Sequence, residues 1–466
     1  MSLNRMSPSE RRAAYMLIFA GCEAEPERFT SDLPVSSALA RDAVRYTLPL
    51  YEMARMRAAT CPRRDSAGTF AGDGPDSTLR WINTVTHVRA LLGPQHRQVV
   101  TPNNDTLYTN AWLDLSRGPL LLDVPDCHGR YYVLGLLDAY TNPFGYIGTR
   151  TTGTQGGTWL LHGPAWRGEV PAGATPLPCP TDAVWIIGRI LADGGADLAG
   201  AHALQDGIRL RRPDGTAAAS VIDAGMHAGE RPGDPERYAA IVRRMLAENP
   251  PPAAEADLVR SFATAGIGSA TPLTPAQRTA LAAALAHVDA ELAAPKASAL
   301  GGGWSLPVEI RTSFGPQYAL RAEVARNYIG ALGIEEAMYL MADCDADGLP
   351  LDGTHQYELV FPAQGLPQVG AFWSLTMYRK SDCMLAENPL QRYSLGDRSP
   401  GLRAAPDGSL RIVLGARAPA DPAATGNWLP APPEPFYVAL RLYVPGSAHL
   451  ERTFRYPAIR RIKEAS

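Results

Sequence analysis

FYVALRLY at Phe436–Tyr443 and VWIIGRIL at Val184–Leu191 decide the architecture of this chain. Both runs read as strands, and Arg441 and Arg189 fall at the same place in each. Working outward, VWIIGRIL is preceded by LLLDVP (Leu120–Pro125), RYYVLGLLDAY, NPFGYIGTR and GGTWLLHGPAW. FYVALRLY is preceded by YELVFP (Tyr357–Pro362), AFWSLTMYRK, NPLQRYSLGDR and DGSLRIVLGARAP. The order of the runs matches, and the Asn-Pro and Gly-x-Arg punctuation recurs. The sequence therefore predicts one β-rich unit present twice, with a shared interface of the kind that favours pockets.

The length of 466 residues exceeds what a single growing core supports, so several domains are expected. An apolar share of 45% with 20% charged residues describes a soluble globular chain. A formal net charge of -3, with no Lys/Arg cluster, argues against a nucleic-acid partner. The 43 Gly and 41 Pro are spread along the chain, as suits many short strands and long connections. Six scattered cysteines form no C-x-x-C pair, so neither structural zinc nor a disulfide framework is implied. The apolar run YMLIFAGC is too short to cross a membrane. It has the length of a signal core, with Arg11 and Arg12 before it, but no small-x-small cleavage pattern follows. The expectation is a cytoplasmic protein with no membrane partner, export being the alternative.

The expected fold class is α+β, mainly β: two duplicated β-sandwich or jelly-roll-like domains with helical N-terminal and middle segments. Residues 1–80 read as helical, because RDAVRYTLPLYEMARMRAAT has apolar residues at helical spacing. A first β domain covers 81–214. In TLYTNAWLDL one face carries Tyr108, Asn110, Trp112 and Asp114, the other Leu107, Ala111, Leu113 and Leu115. Residues 215–305 form a helical insertion, with helices at ERYAAIVRRMLAENPP and PAQRTALAAALAHVDAELAA. Gly301–Gly303 closes it as a hinge or as a tight packing turn. Residues 306–466 hold a helix or helix pair, RAEVARNYIGALGIEEAMY, and the second β domain.

The sharpest polar cluster is Thr101-Pro-Asn-Asn-Asp-Thr-Leu-Tyr108. Its short side chains suit Asx-type turns that cap a strand. The functional alternative places Asp105 and Tyr108 at a pocket mouth as acid/base and hydrogen-bond donor. A second set comprises Arg379, Asn388, Arg392, Tyr393, Asn427, Trp428, Arg441 and Tyr443. In FYVALRLY, Tyr437, Ala439, Arg441 and Tyr443 share one face while the other is wholly apolar. An arginine there needs a carboxylate or an anion if buried. The candidates are an internal bridge to Asp138, Asp382 or Asp397, a carboxylate or anion ligand, or a solvent-facing sheet. Asp138 is also counted among the candidate ligand-binding residues. Asp343-Cys-Asp345-Ala-Asp347-Gly348 resembles half a calcium loop, but its twelfth position is Thr354 instead of Glu, so an acidic turn is expected and no metal. The nine histidines show no metal spacing; His87, His96 and His128 in the first unit could act as a base, surface or supporting roles being the commoner use; and no nucleotide or hydrolase motif occurs, so no cofactor is expected.

The run TPNNDTLYTNAWLDLSRGPLLLDVP with GRYYVLGLLDAYTNPF resembles the domain of unknown function 1254. The run DADGLPLDGTHQYELVFP, with FWSLTMYRKSDCMLAENPLQRYSLGDRS and NWLPAPPEPFYVALRLYVP, resembles its usual partner, the domain of unknown function 1214. The resemblance implies two β domains with helices between and around them. It carries over Asn103, Asn104, Asp105, Tyr108, Asn388, Arg392, Tyr393, Asn427 and Trp428 as family positions, and implies no activity. Many relatives look exported, whereas this chain lacks a clear signal, which points to a cytoplasmic role in tailoring a metabolite.

The functional expectation is a cofactor-independent enzyme acting on a small organic metabolite by hydrolysis, elimination, isomerisation or cyclisation. Asp105, Tyr108 and Arg441 are its catalytic candidates. Asn103, Asn104, Asp138, Arg379, Asn388, Arg392, Tyr393, Asn427, Trp428 and Tyr443 are its binding candidates. The alternative is a non-catalytic binder of a carbohydrate or other small ligand, for which 18 Tyr and 8 Trp supply stacking surfaces. A scaffold with no ligand is the third reading. Sheet edges give reason to expect a homodimer.

Overall fold

The computed structural model describes residues 35–463, save 75, 98–100, 228, 270 and 294–296. The run YMLIFAGC lies outside the described residues, as does the start of the expected N-terminal helical segment. Helix α1 (Ser37–Thr60) begins where the Ser36 hydroxyl accepts the Leu39 N–H at 3.4 Å. Tyr46, Thr47, Leu48, Leu50, Tyr51, Glu52 and Met53 are all buried, so neighbours surround α1 on every side. An irregular segment leads to β1 (Leu79–Ile82).

The first β unit runs β2 (Val85–His87), β3 (Thr106–Asp114), β4 (Leu120–Val124), β5 (Tyr132–Asp138), β6 (Pro143–Gly148), β7 (Gly157–His162), β8 (Ala174–Pro178) and β9 (Ala183–Leu191). Helix α2 (Leu198–Gly207) and strands β10 (Arg209–Arg211) and β11 (Ser220–Asp223) follow, β11 pairing back with β1. One sheet has the order β2-β3-β9-β5-β6 and the other β10-β4-β7-β8. Leu107, Ala111, Leu113 and Leu115 join Leu120, Leu134, Leu161 and Ile186 in the core between them, as the period-two pattern requires.

Helices α3 (Pro235–Glu248), α4 (Ala256–Ser261) and α5 (Pro275–Leu292) come next. Asp234 caps α3, and a Thr274–Gln277 capping box opens α5. The second unit contains β12 (Ser298–Gly301), β13 (Trp304–Leu306), helix α6 (Tyr318–Asn327), β14 (Ala337–Ala342), β15 (Tyr357–Phe361), β16 (Val369–Arg379), β17 (Ser394–Gly396), β18 (Leu410–Gly415), β19 (Trp428–Pro430), β20 (Phe436–Pro445) and β21 (Arg460–Arg461). Its sheets have the orders β12-β13-β14-β20-β16-β17 and β19-β18-β15-β21. Leu340, Leu359, Leu375, Ile412, Val438 and Leu440 fill the core between them.

Several expectations change. β12 and β13 hydrogen-bond toward β14, so residues 298–305 belong to the second β unit and not to the helical middle. AMY at the end of RAEVARNYIGALGIEEAMY is strand β14, because Met338, Leu340 and Ala342 alternate into the core. Gly301–Gly303 is a tight turn: all three have positive φ, and a Cβ on Gly302 would sit 2.7 Å from the Tyr456 carbonyl oxygen. The acidic run is a turn in which Asp345 Oδ1 accepts the Asp347 and Leu349 N–H groups at 2.9 and 3.0 Å.

The outer face of the first large sheet is shared between two coverings. Trp112 and Trp185 stack at 4.9 Å and pack toward α1, α3 and α5. Further along the same face, Tyr131, Val133 and Leu191 meet Ala337, Phe372 and Tyr443 of the second unit. The outward faces of the two large sheets thus lie against each other.

Candidate functional site

The loop before β3 leaves the first unit and lies on the second. The Asn103 side chain accepts the Asp105 N–H at 2.6 Å, the Asx turn that its residue type favours. Thr101 adopts φ 51 and donates its N–H to the Cys383 carbonyl at 2.8 Å. Its hydroxyl pairs with the Tyr437 hydroxyl at 2.7 Å, and the Tyr378 hydroxyl donates to the Pro102 carbonyl at 2.6 Å. Asp105, 5% exposed, is delivered onto β16, where Ser374 donates its hydroxyl to Oδ2 at 2.6 Å. Ser394 is a weak second donor at 3.5 Å.

Arg441 reaches the same loop. Its Nη1 donates to Thr376 Oγ1 at 2.9 Å and its Nη2 to the Thr101 carbonyl at 3.0 Å, while Tyr378 and Tyr339 present their rings at 5.5 and 5.9 Å. The strand register sets Tyr339, Arg441 and Ser374 in one row across β14, β20 and β16. In the first unit the register sets Tyr108, Arg189 and Val133 in one row across β3, β9 and β5. Arg189 stands 5.7 Å from the Tyr108 ring and donates once, to the Gly330 carbonyl at 3.2 Å. The Arg–Asp bridges considered for Arg441 do not form. Asp138 accepts the Tyr140 and Asn142 N–H groups in its own turn, Asp382 pairs with Arg379 and Arg97, and Asp397 accepts the Trp373 N–H.

Around these arginines the hydrogen-bond inventory is incomplete. Arg189 Nη1, Arg441 Nε and the hydroxyls of Tyr339 and Tyr443 are buried with no partner among the described residues. Arg189 is 6% exposed, Arg441 3% and Tyr443 fully buried. Each such unfilled donor costs about 1–3 kcal/mol. Burial, with the Asp105 charge adding to it, pushes the Tyr443 phenol well above its ordinary value. Burial likewise raises Tyr339, and both phenols lie within the field of both guanidinium groups. They are neutral donors at physiological pH. Nearby, Glu336 accepts the Tyr131 hydroxyl at 2.9 Å and Arg150 Nε at 2.6 Å, and Arg398 pairs with Asp193.

The fold thus brings together Asn103, Asp105, Tyr108, Arg441 and Tyr443. Asn104 holds the Leu92 carbonyl at 2.5 Å at the base of the same loop. Tyr393 packs beside Tyr378 and Tyr437 at the edge of this cluster, and the remaining candidates sit elsewhere and tie loops. Asn388 bonds the Ala386 and Arg392 carbonyls, Arg392 reaches the Thr425 and Trp428 carbonyls, and Asn427 bonds Arg403 and Arg411. Trp428 donates to the Gly415 carbonyl, and Tyr393 meets Glu387 at 3.5 Å. Arg379 is held by Asp382, and Asp138 closes a turn beyond β5. The sequence reading missed Tyr339, Ser374 and Tyr378. Tyr339 was hidden because its strand reads as helix, while Ser374 and Tyr378 lie on a strand that was recognised, where the period-two face would have shown them. Of the histidines, His87 pairs with Thr109, His96 accepts the Gly93 N–H and His128 is exposed. Among the described residues no His/Cys/Asp/Glu group could hold a metal, and no helix is long and apolar enough to cross a membrane.

Comparison with known proteins agrees with this division of the chain. A VPA0106 protein from Vibrio parahaemolyticus has a solved structure that matches with a TM-score of 0.69 and 27% identity, over 92% of this chain and 100% of that one. An uncharacterised protein from Burkholderia cenocepacia aligns over 98% of this chain and 95% of its own, with 13% identity and a TM-score of 0.39. No curated protein matches the chain. Residues 82–212 match the family described as protein of unknown function (DUF1254), and residues 336–447 match protein of unknown function (DUF1214). The chain thus carries a DUF1254 region followed by a DUF1214 region, the two-domain arrangement that its motifs resemble.

Proposed function

We propose that this protein is a cofactor-independent enzyme that acts on a small organic metabolite by acid–base chemistry where the two large sheets meet. One observation carries the reading: the Asp105 carboxylate, brought from the first unit and held by Ser374 at 2.6 Å, lies on the same sheet face as Arg441. A carboxylate is a general base, a phenol such as that of Tyr108 is a hydrogen-bond donor, and a guanidinium stabilises developing negative charge. Hydrolysis, elimination, isomerisation and cyclisation can each use such a set. A second reading, a non-catalytic binder of a small ligand, is favoured by the unfilled donors around the arginines. We also propose that the two β units arose by duplication. Each has a large sheet with an arginine on its central strand, and a four-stranded sheet with one parallel pair. The free thiols of Cys61, Cys127 and Cys179 suit a reducing compartment and support a cytoplasmic site of action.

The test is a metabolite screen by thermal shift, with mass spectrometry of each stabilising compound. The expected result is a hit that is chemically changed, and a fall of about 10²–10⁴-fold in turnover for Asp105→Asn. Full turnover by that variant overturns the assignment of the base. A ligand recovered intact favours the binding reading.

A further inference from the structure

The layer between the large sheets contains more donors than acceptors. Arg398 is matched by Asp193 and Arg150 by Glu336, which leaves Arg189 and Arg441 as the guanidinium groups of this layer without an ion pair among the described residues. Their unfilled N–H groups, with the hydroxyls of Tyr339 and Tyr443 and the remaining Nε–H of Arg398, make five buried donors. The register places Tyr339 directly beside Arg441, and Tyr443 follows two residues along the same strand face. Both hydroxyls feel both arginines. Tyr108 and Tyr339 are half-buried.

An ionised carboxylate is an acceptor only, with two oxygens and about four lone-pair sites. Its planar shape matches the guanidinium fork, and in a water-poor layer such charge-assisted bonds are the strong ones. Asp105 already brings one negative charge to this layer, so a dianion would meet repulsion where a monoanion finds the excess positive charge compensated. We propose that Arg189 and Arg441, with Tyr339 and Tyr443, bind the carboxylate group of a small monocarboxylate, one arginine coming from each β unit. This rests on reading the layer as a ligand site and names the class of compound it takes. Arg189, which holds the first unit's end of the ligand, then has a binding role as well as a structural one.

Sodium acetate is the probe, titrated into the purified full chain at constant ionic strength against sodium chloride, with inorganic phosphate as the more highly charged control. The expected result is a saturable rise in Tm with acetate, a smaller one with phosphate and none with chloride. Arg189→Lys and Arg441→Lys keep the charge and lose the fork, and each should weaken acetate at least ~10-fold. Tyr443→Phe removes one donor and should weaken acetate about 3–10-fold, even if the lysine variants fail to fold. Equal responses to acetate and chloride overturn the proposal, as does wild-type acetate affinity in folded Tyr443→Phe. Saturable acetate binding with no metabolite converted in the screen leaves the carboxylate site standing and removes the enzyme. A neutral metabolite converted without any acetate response does the reverse.

Discussion

At Asp105 two demands meet in one side chain. Its backbone closes the turn that Asn103 begins, while its carboxylate is spent on the facing sheet at Ser374. The turn was legible in the sequence, because Asn and Asp before a strand have few other uses. The partner was not, since Ser374 lies 269 residues along the chain and no local pattern encodes that meeting. The Asn388, Arg392, Asn427 and Trp428 motif shows the opposite case. Its specificity is visible in the sequence, yet each of these side chains bonds backbone carbonyls within a few turns of the second unit. His449 yields a prediction at this scale. Its Nε2 accepts the Gln368 N–H at 3.2 Å, so Nδ1 carries the proton toward the Tyr456 oxygen at 2.8 Å. Burial pushes its pKa down to about 4, below the ordinary value near 6.5. The unfolded chain then binds the extra proton more readily, so His449's contribution is full above about pH 6.5 and is lost as pH falls toward 4. Thermal melts should show His449→Asn destabilised at pH 7.5 and closer to the parent at pH 4.5.

Among the elements, β9 and β20 were the most readable, because one apolar face of period two leaves little choice of register. β14 was misread since AMYLMA carries Met, Leu and Ala, good helix formers that tertiary pairing with β20 overrides. The turn after α6 matters for the site although no motif marks it. Gly330 has φ 78, and a Cβ there would lie 2.8 Å from the Trp185 ring, which is already stacked on Trp112. Its carbonyl is the acceptor for Arg189. Gly330→Ala should cost about 1–3 kcal/mol through backbone strain and overpacking. Urea unfolding should show a lower midpoint with an unchanged slope.

For the whole molecule, Glu336 is the junction that holds the layers in register. It is 1% exposed and takes Tyr131 and Arg150 from the first unit. Arg150 is partly exposed, so Glu336→Gln should cost about 1–3 kcal/mol, less than a fully buried pair. Calorimetry should show the parent unfolding in one transition and the variant shifted to lower temperature. Division into two β units with helices was legible from the order of the runs, and α1, α3 and α5 from their spacing and caps; their assembly into one layer was not. That layer is assembled from distant parts of the chain: Thr47 of α1 pairs with Tyr238 of α3, Arg45 with Glu291 of α5, and Tyr46 packs on Tyr318 of α6. During synthesis, α1 leaves the ribosome roughly 270 residues before α6 is complete, a wait on the order of tens of seconds. The first large sheet, α3 and α5 can cover part of its apolar surface as they emerge, but the side that meets Tyr318 waits for α6, so this layer closes only late in synthesis.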